Sequence, residues 1–374
     1  MNWFWLIFLG VYGSLHALLW LRLRPLLPVG RPWGLALAAA FLVLVVTPIA
    51  ARLLERSGRD EVAMVLAWAG FVWMGLALLC CMTGIASWLV QGLGALAGRL
   101  GWWTAPAGWG RVMALAAVMV AGLAAAYGVI EARSLRVEHL TIPSAKISRP
   151  LVIAQVSDVH LGLLAGQRRL KHIVRLIMAE RPDIIISTGD LVDGNLFEED
   201  GLAGLWAELK PPLGKYAVLG NHEVYAGLKQ ALEFHRRSGF TVLRGQVADL
   251  GPLAVAGIDD PAVRQLGLPP AGAGEAALLD QAPAGRFVLL LKHRPDLGQY
   301  SPGRFDLQLS GHTHRGQIWP FCYVTGAIYP MQDGLYDLAQ GSRLYTSRGT
   351  GTWGPPLRIA APPVISVIKL VPAS

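Results

Sequence analysis

Four long apolar stretches open the chain, at residues 3–21, 34–54, 62–92 and 111–130, each at least the roughly 20 residues that a helix needs to cross a hydrocarbon layer. The third is overlong, which predicts a tilted helix or a break near Gly84 with an interfacial continuation to Gly94. From Leu151 the pattern changes, and short strand-like runs alternate with helical ones. Strands are predicted at 151–157, 183–188, 215–219 and 240–244, with helices at about 166–180, 201–209 and 224–238 between them. Leu170, Ile173, Val174, Ile177 and Met178 form one apolar face of the first of these helices. Shorter strands are predicted at 253–258, 287–292 and 306–310, before an irregular Gly/Pro/Tyr-rich end. The alternation predicts a layered α/β domain with more than one sheet, preceded by an all-α transmembrane bundle of about four helices. The expected division is 1–132 transmembrane region, 133–149 linker and 150–374 water-soluble domain.

Composition sharpens that division. Mean hydropathy is +0.43 and only 16% of residues are charged. Ten of the 13 Trp precede residue 150, but only 17 of the 58 Asp, Glu, Lys and Arg do. Trp102, Trp103 and Trp109, in a Gly/Pro-rich loop, suit an interfacial belt. Of the net charge of +8, residues 1–149 carry +7 and residues 150–374 only +1. The basic pI of about 9.6 is therefore a membrane-flank signal, and nucleic acid is not an expected partner. An integral, multi-pass protein of a bacterial inner membrane is expected. The Lys/Arg balance of seven against five leaves the side of the soluble domain open. Cys80 and Cys81 are adjacent in an apolar run and Cys322 is single, so neither a disulfide framework nor a cysteine zinc site is supported.

The chemistry sits at the ends of the predicted strands. Leu151–Val156 runs into Ser157-Asp158-Val159-His160, and Asp and His at i and i+2 project to the same side of an extended chain. Four later strands end the same way, in Gly189-Asp190-Leu191-Val192-Asp193, Gly220-Asn221-His222-Glu223, His293-Arg294-Pro295 and Gly311-His312-Thr313-His314. Singly each has an ordinary reading: Asp190 as a turn residue, Asn221 as a helix cap, His293 as a loop histidine. Jointly they supply carboxylate, amide and imidazole ligands suited to first-row divalent ions such as Mn, Fe, Co or Zn, in a number that fits two ions sharing a bridging carboxylate. His16, His139, His172 and His235 match no motif and are read as structural.

These five motifs resemble the calcineurin-like metallophosphoesterase superfamily over about residues 150–370. The stretches Ser310–Pro320 and Arg348–Arg358 further resemble its YkuE/YaeI-like branch and membrane proteins that carry such a domain. One departure is Ala361-Pro362-Pro363 where a Pro-Glu pair often precedes the last strand. The resemblance implies a four-layer α/β/β/α sandwich and a hydrolase of phosphate esters, working through a hydroxide activated by two divalent metals. It implies Asp158, His160 and His314 on one metal, Asn221, His293 and His312 on the other, and Asp190 bridging. It implies His222 facing the substrate phosphate as proton donor or charge stabiliser, and Asp193 orienting a ligand. Arg294 and Arg315 flank ligands and are candidates for binding the phosphate. A phosphate ester, a phosphodiester first among them, is the expected substrate; because four helices exceed what a tether needs, an amphiphilic, lipid-linked one is expected, such as a lipid phosphate or a nucleotide-linked lipid met at the bilayer surface. The alternatives are a pyrophosphate hydrolase resembling the UDP-diacylglucosamine hydrolases and a non-catalytic metal-binding membrane sensor.

Overall fold

The computed structural model describes residues 2–28, 31–194, 200–298 and 301–373. The chain divides into two compact units, Met1–Ile130 with Gly354–Leu357, and Glu131–Trp353 with Arg358–Ser374.

The first unit contains α1 (Asn2–Leu23), α2 (Arg31–Arg56), α3 (Asp60–Arg99) and most of α4 (Trp109–Arg133). All four are long and apolar enough to cross a membrane. Leu19, Phe41, Ala77 and Cys81 form a small packed centre, while Leu35, Leu42, Leu89 and Leu123 are exposed, as helices facing hydrocarbon require. The break expected near Gly84 is absent: α3 runs unbroken for 40 residues. A lone glycine costs a helix only about 1 kcal/mol relative to Ala, too little to end one whose neighbours are all helix-compatible.

The second unit begins with β1 (Arg136–Ser144), β2 (Leu151–Val156), α5 (Gln167–Glu180), β3 (Ile184–Ser187), α6 (Asp200–Ala207), β4 (Lys215–Ala217), α7 (Asn221–Arg237), β5 (Thr241–Val242) and β6 (Gln246–Asp249). It continues with β7 (Leu253–Gly257), α8 (Ala262–Gln265), α9 (Glu275–Leu279), β8 (Phe287–Leu291), β9 (Leu307–Ser310), α10 (Phe321–Ile328), β10 (Gly334–Asp337), β11 (Arg343–Thr346) and β12 (Val364–Pro372). Two six-stranded sheets result, in the orders β1-β12-β2-β3-β4-β5 and β10-β11-β9-β8-β7-β6.

Side-chain alternation along the strands explains the layering. Leu151, Ile153, Ile184 and Ile186 of the first sheet share a core with Leu253, Val255, Leu289 and Leu307 of the second. The alternate residues Ala154, Val156 and Ile185 turn the other way, onto Leu170, Ile173 and Ile177 of α5 and Trp206 of α6. Ala256, Val288 and Leu290 likewise turn outward onto Leu278 and Leu279 of α9. Period-two burial on both faces thus gives helix, sheet, sheet, helix.

One expectation is corrected. The stretch 133–149 is no free linker, because β1 occupies most of it and pairs in parallel with β12, Arg136 opposite Val364 through Ser144 opposite Pro372. Its half-exposed, charge-bearing sequence is that of an edge strand, which carries too little apolar alternation to be read as one. β12 itself lies antiparallel to β2 and is buried from Val364 to Ile368 and at Leu370, so the end of the chain that looked irregular supplies an interior strand.

His235, read as structural, is fully buried on α7 with Nδ1 2.8 Å from the Ala231 carbonyl. Burial pushes its pKa from 6.5 down to about 4. The unfolded chain therefore binds more protons than the folded one between those values, and stability falls as pH drops through that window. The cost, complete below the folded value, is about 3 kcal/mol. His235→Phe should flatten the acid side of the melting-temperature profile of the detergent-solubilised chain. An unchanged profile would contradict this.

Candidate dinuclear metal centre

In the first sheet β2, β3 and β4 run parallel, and in the second β7, β8 and β9 do, so within each sheet the carboxyl ends of these strands lie on one rim. Asp158 and His160 follow β2, Asp190 and Asp193 follow β3, and Asn221 and His222 open α7 after β4. His293 follows β8, and His312 and His314 follow β9. All seven expected ligands converge there.

They form two groups that share one carboxylate. In the first, His314 Nε2 lies 3.1 Å from His160 Nε2 and 3.5 Å from Asp158 Oδ1. In the second, His293 Nε2 lies 3.2 Å from Asn221 Oδ1 and 3.1 Å from His312 Nδ1. Asp190 Oδ2 stands between them, 3.1 Å from His293 Nε2 and 4.0 Å from His160 Nε2. Its other oxygen accepts the backbone N–H of His222 at 2.8 Å. The carboxylate is thus oriented by the chain with one oxygen aimed at both groups.

The donor set fits cations. His293 Nδ1 donates to the Thr188 carbonyl at 2.8 Å, which leaves Nε2 facing the Asp190 oxygen, the Asn221 oxygen and an imidazole nitrogen. A proton on Nε2 can satisfy only one of these at a time, whereas a divalent cation satisfies all of them. The charge balance points the same way. Burial would lower His293, but Asp190 outweighs it and holds the imidazole up at about 10. Burial would raise Asp190, yet His293 and His222 hold it well below the usual carboxylate range. Burial pushes Asp158 up to about 6, and lowers His160 to about 4 and His312 to about 3. The rim collects carboxylates and imidazole lone pairs, the donor set a divalent cation takes.

The backbone is shaped for this. Asp158, His160, Asp190, His312 and His314 all have positive φ, between 47° and 71°, a conformation that costs a non-glycine residue on the order of 1 kcal/mol or more. Such strain persists only where packing over-determines it. Gly189, at φ 97°, could not carry a side chain, since a Cβ there would sit 2.7 Å from His293 Nδ1.

His222 is not one of the seven expected ligands but lies beside the first group, its ring edge-on to the His160 ring at 4.7 Å. Its Nδ1 lies 2.9 Å from Asp193 Oδ1, and its half-buried ring meets Trp353 edge-on at 5.9 Å. Burial would lower it, but Asp190 and Asp193 raise it to about 9. Asp193 Oδ2 is also 3.9 Å from His160 Nδ1, so this carboxylate can orient both rings, and the trio could itself hold an ion. Arg294 is engaged elsewhere: its guanidinium grips Asp260 at 2.8 and 3.0 Å. Arg315 is freer, 43% exposed at the side chain and 3.5 Å from Asp333.

Three supporting residues had no role assigned from sequence. Glu223 is fully buried, and its two oxygens accept the N–H groups of Asp190, Leu191, Val192 and Gly220 at 2.6–3.2 Å, tying the loop after β3 to the start of α7. Its position three residues after Gly220 is the spacing by which a Glu reaches back to a helix start, and was the available signal. Ser157 Oγ donates to Asp158 Oδ2 at 2.5 Å. Arg358, also fully buried, donates to the carbonyls of Arg348, Gly351 and Ala361 and lies 3.0 Å from His314 Nδ1, so it pins the returning loop behind that ring.

The chain is similar to known proteins over this region. The family model for calcineurin-like phosphoesterases matches residues 151–316. An uncharacterized metallophosphoesterase of Aquifex aeolicus (strain VF5) is 40% identical over 257 residues, 68% of this chain and 98% of that protein. The chain belongs to the calcineurin-like phosphoesterase family. This metallophosphoesterase is also 30% identical over 269 residues to a zebrafish (Danio rerio) protein named as a transmembrane protein with metallophosphoesterase domain, covering 68% of this chain and 62% of that one. A dimetal phosphatase of known structure from Danio rerio aligns with 53% of the chain and 87% of its own, at 16% identity and a TM-score of 0.34. Family membership makes the chain a phosphoester hydrolase, and its described residues include groups that could hold metal ions.

Proposed function

We propose that the protein is a membrane-anchored phosphodiesterase with two divalent metals, Mn, Fe or Zn. Asp158, His160 and His314 would hold one, Asn221, His293 and His312 the other, and Asp190 both. The observation that carries this is the position of Asp190 Oδ2, within 4.0 Å of a ring nitrogen in each group. When bound, such a pair supplies Lewis acidity toward phosphoryl oxygens and lowers the pKa of water to near neutrality.

The chain's own side chains supply the rest. His222, held by Asp193, presents Nε2 as a proton donor toward the leaving oxygen or as a positive charge beside the phosphoryl group. Arg315 is the better candidate for an outer phosphate contact, since Arg294 would have to leave a two-pronged ion pair. Four apolar helices in the same chain support a multi-pass protein of a bacterial inner membrane and a substrate carried on a lipid.

The test is hydrolysis of bis(4-nitrophenyl) phosphate by the full chain in detergent. Chelation should abolish turnover and one of the three metals should restore it. Undiminished activity of the metal-free protein would overturn the proposal.

A further inference from the structure

The family chemistry leaves one element unexplained. α10 (Phe321–Ile328) follows His314 by a few residues, carries neither acid nor base, and has no buried residue. Tyr323 is 71% exposed, Ile328 66% and Val324 57%. Phe321, Val324 and Ile328, spaced i, i+3 and i+7, make one continuous apolar stripe. Among the described residues of the second unit, ten large apolar side chains are exposed, and five of them lie between Trp319 and Ile328. Concentration of this kind marks a contact surface, whereas isolated exposed apolar residues do not.

The helix is also built into the rim of the site. Thr313, between two expected ligands, donates to the Gln332 carbonyl at 2.7 Å, and Gln332 Nε2 donates to the Cys322 carbonyl at 2.9 Å. Tyr329, the residue after the helix, meets the His312 ring edge-on at 5.4 Å. The apolar stripe therefore ends beside a candidate metal ligand.

We propose that α10 inserts its exposed face among the acyl chains of the bilayer that holds the four apolar helices, and that the substrate is an amphiphile whose phosphodiester reaches the site along this helix. This rests on the membrane-anchored phosphodiesterase reading above. Phospholipid is the occupant the composition favours: aromatic and aliphatic side chains without charge, Trp319 and Tyr323 among them with the amphipathic rings that settle in an interface, and a chain that is itself apolar enough to span the membrane. A water-soluble substrate would give no reason to keep such a surface bare next to charged chemistry.

The test uses the full chain with Cys80, Cys81 and Cys322 changed to Ser, reconstituted in vesicles of phosphatidylethanolamine and phosphatidylglycerol. A nitroxide is placed at Tyr323→Cys, or at Lys171→Cys on the exposed face of α5 as control. The label at 323 should collide more with oxygen than with a water-soluble nickel complex, and the label at 171 should do the reverse. Equal access to nickel at both positions would overturn the proposal. In parallel, Val324→Glu with Ile328→Glu should slow hydrolysis of hexadecyl 4-nitrophenyl phosphate in those vesicles by about tenfold or more while bis(4-nitrophenyl) phosphate in water is hydrolysed as before. An equal loss on both substrates would make α10 a mere support of the site and overturn the substrate assignment. Failure of the unmodified chain to hydrolyse either compound would count against the phosphodiesterase reading, and the nitroxide would still decide where α10 lies.

Discussion

Asp190→Ala is expected to abolish metal-dependent phosphodiester hydrolysis, with a loss of about a thousandfold or more, and to strip metal from the purified chain. The reason is geometric. Oδ2 is the only described carboxylate oxygen within 4.0 Å of both His293 Nε2 and His160 Nε2, and Oδ1 fixes its direction through the His222 N–H. Without it each group keeps only neutral rings with one carboxylate, or with one amide. Metal analysis and turnover should fall together. Retention of two metals with activity within tenfold would show that the carboxylate bridges nothing.

His222→Ala should separate those two readouts. The ring belongs to neither group around Asp190, and is held by Asp193 at 2.9 Å. Its loss should therefore leave metal content intact and cut turnover by about a hundredfold to ten-thousandfold, the range for a positioned acid. Loss of a metal in this variant would place an ion among His160, Asp193 and His222, the alternative that their proximity allows. Undiminished turnover would remove His222 from the chemistry altogether.

The candidate site was legible in the sequence because its expected ligands sit where hydrophobic runs stop. A buried strand such as β8, all five of whose residues are buried, has nothing polar until it leaves the sheet, so His293 stands out. The same logic could not reveal Arg358, whose partners are carbonyls of its own loop, and it caught only the Gly220 spacing of Glu223, whose other partners are N–H groups on the loop after β3. Nor could it show that Arg294 is occupied, since Asp260 lies 34 residues upstream on a loop with no pattern of its own. β1 was missed, and β12 was expected only through the resemblance, for a related reason. Each follows a break in the pattern, β12 behind Pro362 and Pro363, and their pairing joins the two ends of the domain. Ala361, at the departure from the family pattern, has its N–H held at 2.8 Å by Glu131, and the strand forms regardless.

The most direct test of the dinuclear claim is a crystal structure of the metal-loaded protein with anomalous scattering recorded at the metal edge. The account predicts two peaks about 3.5–4 Å apart, one among Asp158, His160 and His314, the other among Asn221, His293 and His312, with the Asp190 carboxylate touching both. A single peak, or a pair with Asp190 bound to only one, would contradict it.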